Sequence, residues 1–339
     1  MRKSLALLFL ITFSLNAQIF RSTTKVGTTA AQFLKIGSSA RAISMGSAGV
    51  AVQGDVHSLF WNPSLIVSNN STGSSAFTHA EWIADVNYDY AASILNLENF
   101  GLIGFSFTSL TTPEDIVRTE NYPLGDGRKW NAKSLAMSLS YARLLTGSFA
   151  IGGSLKYVQE GIWNEKATGF AFDVGTIYTT EWNGLRIGSS ISNFGTKLKL
   201  EGSDLTFSNE PGNITNQGPQ NVTSNYQTDA FDMPLLFRVG FAVDYLSFEN
   251  LNATLALDAI HPNDNNEYVN IGTEISYDKM FFGRVGYKSL FLDESEESLT
   301  WGVGINYPLS GAIYITLDYA FADFGKLKNV HYVTVTTTY

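Results

Sequence analysis

From about residue 74 onward the chain alternates between two kinds of side chain. In Ser134 to Tyr141 the large residues Leu135, Met137, Leu139 and Tyr141 interleave with Ser134, Ala136, Ser138 and Ser140. In Phe237 to Tyr245, Phe237, Val239, Phe241, Val243 and Tyr245 interleave with Arg238, Gly240, Ala242 and Asp244. The pattern recurs in Phe149 to Tyr157, Phe170 to Tyr178, Leu185 to Ile191, Val269 to Tyr277, Leu299 to Tyr307 and Ile313 to Phe321. A period of two predicts strands with one apolar face and one small or charged face. The connections alternate as well. Those after Tyr141, Tyr178, Tyr277 and Tyr307 are tight, whereas Thr111 to Asn131, Glu160 to Ala167, Gly195 to Asp232, His261 to Glu267, Asp293 to Ser298 and Ala322 to Asn329 read as longer loops. A soluble sandwich would have turns of similar length at both ends, but a transmembrane barrel has short turns at one end and long loops at the other. Counted from Ser75, the strands number about fourteen, an even number as in single-chain bacterial barrels.

Composition narrows the class. Only 16% of the residues are charged, while 6 Trp, 16 Tyr and 23 Phe are present. No apolar run reaches the roughly 20 residues of a spanning helix. An antiparallel all-β barrel is then the one structure that satisfies every backbone group in lipid. Met1 to Gln18 reads as a secretory signal, with Arg2 and Lys3 before the apolar run Leu5 to Leu15 and a cleavage point near Asn16-Ala17. Absence of cysteine fits an exported chain without disulfides, and a net charge of -9 argues against a nucleic-acid partner. The outer membrane of a Gram-negative bacterium is the expected location, with both termini on the periplasmic side and outer-membrane lipid around the wall.

One long stretch, Phe33 to Leu65, departs from the alternation. Ser38 to Val52 is built of small residues around Arg41, and has so little apolar area that it must lie closely against other backbone to be ordered. Asp55 is a candidate N-cap for a short helical turn through Trp61, which Asn62-Pro63 stops. Phe33-Leu34-Lys35-Ile36, Ala40-Arg41-Ala42, Gly46, Ala48-Gly49-Val50-Ala51-Val52 and Trp61-Asn62-Pro63 stand where PorV/PorQ-type outer-membrane proteins, relatives of the FadL-type transporters, have an FL-x-I segment, an AR-A turn, a G-A-x-V-A run and a W-N-P-A motif. The chain resembles that family strongly here and at the level of pattern elsewhere, with Ser64 and Leu65 replacing the usual Ala and Gly.

The resemblance implies a short, partly helical plug under or inside the barrel, with Phe33, Leu34, Arg41, Gly46, Gly49, Asp55, Trp61, Asn62 and Pro63 as its motif. The chain then divides into a signal peptide (1–17), a plug segment (18–73) and a barrel (74–339). The resemblance further implies a non-enzymatic accessory of type IX secretion that meets a large translocon and exported proteins. The alternative is FadL-like uptake of a hydrophobic small molecule.

The strand parity assigns Asp89, Lys156, Asp173, Arg186, Arg238, Asp244, Asp258, Glu274, Arg284, Lys288 and Asp318 to the lumen. Their mixed signs suit pairing with one another or with the plug better than a one-sign selectivity ring or a wide apolar conduit. A local hydrophobic pocket is expected near Phe33, Leu34, Phe60 and Trp61. Tyr339, the aromatic end of the last strand, resembles the signal read by barrel-assembly machinery. No catalytic motif is present, and no cofactor is predicted. His261, Asp264 and Glu267 lie among Pro and Asn residues that suit a hydrated turn rather than a metal site, and the acidic patch at Asp293, Glu294, Glu296 and Glu297 reads as a loop tip. The loop from Thr111 to Asn131, with Tyr122 and Trp130, is the candidate contact surface.

Overall fold

Each alternating stretch forms a strand, and consecutive strands pair antiparallel until the sheet closes on itself. The computed structural model describes residues 25–69, 71–209, 222–327 and 329–339, so the signal-peptide assignment lies outside the described residues. The barrel strands are β1 (Gly73–Trp82), β2 (Val86–Asn96), β3 (Leu102–Thr111), β4 (Ala132–Thr146), β5 (Phe149–Ile162), β6 (Glu165–Thr179) and β7 (Arg186–Gly195). They continue as β8 (Leu236–Ser247), β9 (Leu251–Pro262), β10 (Tyr268–Tyr277), β11 (Phe281–Leu290), β12 (Leu299–Ser310), β13 (Ile313–Ala322) and β14 (Val330–Thr338). Pairing of β1 with β14, Ser74 opposite Thr338, closes a barrel of 14 strands.

The wall turns its large residues outward, as a lipid solvent requires. On β4, Leu139 is 62% exposed while its neighbours Ser138 and Ser140 are 6% and 2% exposed. Strand β2 is inverted: Tyr88, Tyr90 and Ile94 point inward and are buried, and Asn87, Asp89, Ala91 and Ser93 point outward. The assignment of Asp89 to the lumen is therefore corrected. It lies on the outer face, 2.8 Å from His79 of β1.

Tyr339 and the connections after Thr146, Thr179, Ser247, Tyr277 and Ser310 share one end of the barrel, and the loop from Thr112 to Asn131, residues 196–209 and 222–235, and the tight turns Ile83–Asp85 and Trp163-Asn164 share the other. The segment Glu160 to Ala167 is no loop: β5 and β6 pair out to Ile162 opposite Glu165, with only Trp163 and Asn164 between them. Trp163 takes φ 53 to make that turn.

Beyond the exposed residues 25–28, the chain to residue 69 runs down the inside. The described chain starts at the long-loop end, where Ala30 donates its N–H to the Asp232 carbonyl and Thr29 donates its hydroxyl to Asp264. The described part thus begins at the end opposite Tyr339, and the N-terminus itself lies outside the described residues. Short helical pieces follow: a 3-10 turn at Gln32–Lys35, α1 (Ala40–Ser44), α2 (Ser58–Trp61) and a second 3-10 turn at Pro63–Ser68. Ser39 caps α1 by accepting from the Ala42 N–H. Asp55 does not cap α2, whose N-cap is His57; its carboxylate instead accepts the His57 N–H at 3.0 Å, one turn earlier. Asn62 ends α2 in an extended conformation and caps the following 3-10 turn by accepting from the Ser64 N–H.

Candidate functional site: an occupied lumen

The small residues of the luminal segment and the small residues on the inner wall meet backbone to backbone. Gly46, at φ 66, sits against the wall, and a Cβ on it would lie 2.5 Å from the Ile271 carbonyl. Gly272 on β10 and Gly286 on β11 open the space, since a Cβ on either would overlap the Met45–Gly46 backbone. On the other side of the barrel a Cβ at Gly152 of β5 would stand 2.6 Å from the Ser64 nitrogen, and one at Gly175 of β6 would overlap the Asn62 side chain. This close packing leaves Ala40, Ile43, Met45, Val50, Leu59, Leu65 and Ile66 buried.

Polar bonds fix the register of the segment. Asn62 donates to the carbonyls of Val50 and Thr176, both at 3.0 Å, and accepts from the Ser64 N–H (3.1 Å) and hydroxyl (2.7 Å). It thereby ties two turns of the segment to β6. Ser190 donates to the Trp61 carbonyl at 2.9 Å, and the Arg238 guanidinium lies over the Trp61 ring at 5.7 Å. Gly37 and Gly49 lie against the Trp61 indole. Thr334 accepts the Ala40 N–H, Thr300 the Gly46 N–H and Asp258 the Val50 N–H, at 3.0, 2.9 and 3.0 Å. Tyr88 donates to the Ile36 carbonyl at 3.1 Å, so an inward tyrosine of β2 packs directly on the segment.

The charges pair as a network. Arg41 grips Glu274 with two bonds of 2.9 and 2.8 Å and donates to the Gln53 carbonyl at 3.1 Å. Glu274 also receives Arg284 at 2.6 Å, which in turn reaches Asp318. Lys156 pairs with Asp173 at 2.6 Å, Arg186 with Asp244 at 2.7 Å, and Lys288 with Glu297. Arg238 bonds Ser192 at 3.1 Å. A fork-shaped guanidinium on a carboxylate is both strong and directional, so Arg41 sets the orientation of α1 as well as its position.

At the long-loop end Asp264 collects Thr29, Gln32 and Lys35, the last at 2.9 Å, and Glu160 accepts the Ala31 N–H. Burial pushes the Asp264 carboxyl up, but these donors outweigh it and hold the group below its ordinary value. His261 turns away to Glu267, 2.8 Å distant, so His261, Asp264 and Glu267 do not converge on one point. Glu296 pairs with Lys326 at 3.2 Å.

Two cavities of ligand size lie among the described residues. The one at the long-loop end has a volume of about 350 Å³ and is lined by Phe33, Ile36, Trp82, Leu110, Tyr268 and Lys288, among others. The one at the short-turn end, about 690 Å³, has a mixed lining that includes Arg41, Asp55, Lys279, Phe282, Tyr314 and Asp318. Between them the voids beside Trp61 and beside Phe60 measure about 20 Å³ each, room for roughly one water. Of the group Phe33, Leu34, Phe60 and Trp61, only Phe33 lines a cavity of ligand size; Leu34 and Phe60 close on a void beside Lys156. The long loop Thr112 to Asn131 carries a small hairpin, Asp115–Ile116 with Lys129–Trp130, and leaves Tyr122 60% exposed.

Unlike Gly46 and Gly49, the wall glycines are not singled out by the sequence, nor are Thr300, Thr334, Ser190 and Tyr88. The glycines carried a signal: Gly152, Gly175, Gly188, Gly240, Gly272 and Gly286 all fall on the inward parity of their strands.

A closed antiparallel barrel with an aromatic exterior and a filled, charge-paired interior defines the class: an outer-membrane barrel of FadL-like fold. Three solved structures share that fold. They are the CymD monoaromatic hydrocarbon channel (TM-score 0.57, 11% identity, covering 89% of this chain and 98% of that one), the toluene transporter TodX of Pseudomonas putida (0.56, 12%, 89% and 96%) and a FadL homologue of Pseudomonas aeruginosa (0.54, 8%, 89% and 98%). No curated protein sequence matches the chain. The family model described as type IX secretion system protein PorV matches residues 20–227, and the chain belongs to that family.

Proposed function

We propose that this protein is a plugged outer-membrane barrel that acts through protein contacts, as an accessory or cargo-shuttling component of type IX secretion. The observation that carries this reading is the occupied lumen: the segment from Phe33 to Ile66 fills the barrel, bonded to the wall along its length. The pairing of β1 with β2, β2 with β3 and β3 with β4 runs without a shift in register, so this part of the wall has no lateral gap. A barrel closed along its axis and along these strands works with its surfaces. The short-turn end and Tyr339 then face the periplasm, Tyr339 serving barrel assembly, and the long loops face outside.

The second reading, uptake of a hydrophobic compound, draws on the loop-end cavity around Phe33, Ile36 and Trp82 and on the likeness of fold to the hydrocarbon channels. It requires the luminal segment to leave its bonds with Glu274, Asp258 and Thr176.

The test is a tagged pull-down from gently solubilised outer membranes, with mass spectrometry of retained proteins and lipids. Recovery of a very large barrel protein, or of exported proteins sharing a C-terminal domain, supports the secretion reading. A barrel recovered alone with a fatty acid or another apolar ligand refutes it and favours uptake.

A further inference from the structure

Two exposed lysines share one row on the outer face of the wall. On β4 the outward positions between Lys133 and Arg143 are Leu135, Met137, Leu139 and Tyr141. The two cations are ten positions apart, which at about 3.4 Å per residue and a tilt of about 40° is roughly 26 Å of height, that of the apolar band on such a barrel. Lys133 therefore lies at the loop-end rim of the band and Arg143 at the opposite rim. Across the ladder Lys133 faces Gly161 of β5, and Gly161 faces Lys166 of β6. The lysines are thus about 10 Å apart, two strand spacings, and Gly161 puts no side chain between them. In the loop-end half of the wall no other Lys or Arg faces outward from a described barrel strand. Trp163, 41% exposed, stands two residues beyond Gly161, where an indole ring marks a membrane interface. Nearer the middle of the band Met137, Tyr157 and Phe170 form an outward row of their own, with the Tyr157 and Phe170 rings 5.6 Å apart.

We propose that the row of Lys133, Gly161 and Lys166 binds the phosphate of an outer-leaflet lipid, whose acyl chains lie on Met137, Leu139, Tyr157 and Phe170. The proposal goes beyond the secretion reading and rests only on the orientation that puts the long loops outside. Charge selects the occupant. The cations of the loops beside the row are paired: Arg128 with Asp126, Lys129 with Glu114 and Lys197 with Asp232. Glu201 stands opposite Lys166 in a short ladder, but it is held by Lys199 at 3.7 Å. Among the described residues Lys133 and Lys166 have no carboxylate within 4.0 Å, so the row keeps an excess of positive charge. A phosphate over Gly161 is within reach of both ammonium groups, and basic residues at a membrane surface attract anionic headgroups. A free phosphate would leave the apolar rows unused, whereas a lipid covers them with its chains.

The test is native mass spectrometry of the full chain in detergent, titrated with phosphorylated lipid A and, in parallel, with dephosphorylated lipid A and with inorganic phosphate. The expected result is a saturable adduct with the phosphorylated lipid alone. The double change Lys133→Gln and Lys166→Gln is expected to weaken it roughly 30-fold, from two lysines at about 1 kcal/mol each. Gly161→Val, which fills the gap and leaves the charge, is expected to weaken it as well. A Cβ at Gly161 meets nothing closer than 3.4 Å, so this variant keeps the barrel heat-modifiable on gels. Lys129→Gln, which breaks an exposed loop pair, is the control and is expected to change the affinity less than about threefold. Equal binding of dephosphorylated lipid A, displacement of the lipid by inorganic phosphate, or unchanged binding in the double variant overturns the proposal. So does an equal loss in Lys129→Gln. Orientation is read separately, by labelling Tyr122→Cys, in a chain without other cysteines, with a membrane-impermeant maleimide on intact cells. Labelling without lipid binding sinks the site and leaves the orientation standing; lipid binding without labelling refutes the orientation and, with it, the outer-leaflet source.

Discussion

Replacing Asn62 by alanine removes the pin that holds the luminal segment to the wall. The side chain is fully buried and makes four hydrogen bonds, two donated and two accepted. At about 1 kcal/mol net for each bond, the loss comes to about 4 kcal/mol. The barrel wall keeps its own ladder, so the cost falls on local opening of the segment rather than on global unfolding. At about 1.4 kcal/mol per tenfold change, Asn62→Ala is expected to speed amide exchange at Gly46, Val50 and Ser64 by roughly a thousandfold. The assay is hydrogen exchange read by mass spectrometry on the protein in detergent, with Leu139 and Val239 of the wall as internal references. Acceleration below about tenfold at the luminal amides would refute the assignment of Asn62 as a pin. Equal acceleration in the wall would show that the segment and the barrel open together.

Gly272→Ala would force a Cβ into the Met45 carbonyl, whereas Gly283→Ala on the outer face of the same pair of strands meets nothing within 4 Å; only the first is expected to loosen the segment, by about 1–3 kcal/mol, seen as faster protease cleavage within residues 40–50. Arg41→Met leaves Glu274 with Arg284 alone and is expected to cost about 2–3 kcal/mol of segment docking, less than the 3–5 kcal/mol for wholly breaking a buried pair; unchanged exchange at Ala42 and Ile43 would contradict this. Ser64→Ala removes one of the two bonds from Ser64 to Asn62 and is expected to cost about 1 kcal/mol, so its exchange at Val50 should rise far less than in Asn62→Ala. Asp264, held below its ordinary value of 3.8, contributes stability that is fully present above that value and is lost as pH falls through its depressed folded value. Cleavage near Lys35 should therefore increase on acidification below about pH 4 in the native protein and be insensitive to pH there in Asp264→Asn.

The wall was legible because lipid imposes a strict rule on it. Large residues face out and small ones face in, so parity alone assigned Lys156, Asp173, Arg238, Asp258, Glu274, Arg284 and Asp318 to the side on which the structure has them. The same rule misled at Asp89. On β2 the tyrosines face inward and Tyr88 bonds the luminal segment at the Ile36 carbonyl, while the outer face takes the polar residues, so large no longer meant outward. The hairpin at Trp163-Asn164 was read as a loop because Glu160, Asn164 and Glu165 are polar. Glu160 and Glu165 are strand residues whose carboxylates accept the Ala31 and Asp204 N–H groups at the loop end.

What the sequence determined by itself follows from neighbours along the chain: the period of two, the alternation of short and long connections, and the small-residue segment that had to lie against other backbone. Only the tertiary structure decided which backbone that was. Met45–Gly46 lies against Gly272 and Gly286, Asn62 against Gly175, and Arg41 in the fork of Glu274. These partners lie more than 100 residues away along the chain, and no local pattern encodes a pairing that exists only once the barrel has closed around the segment.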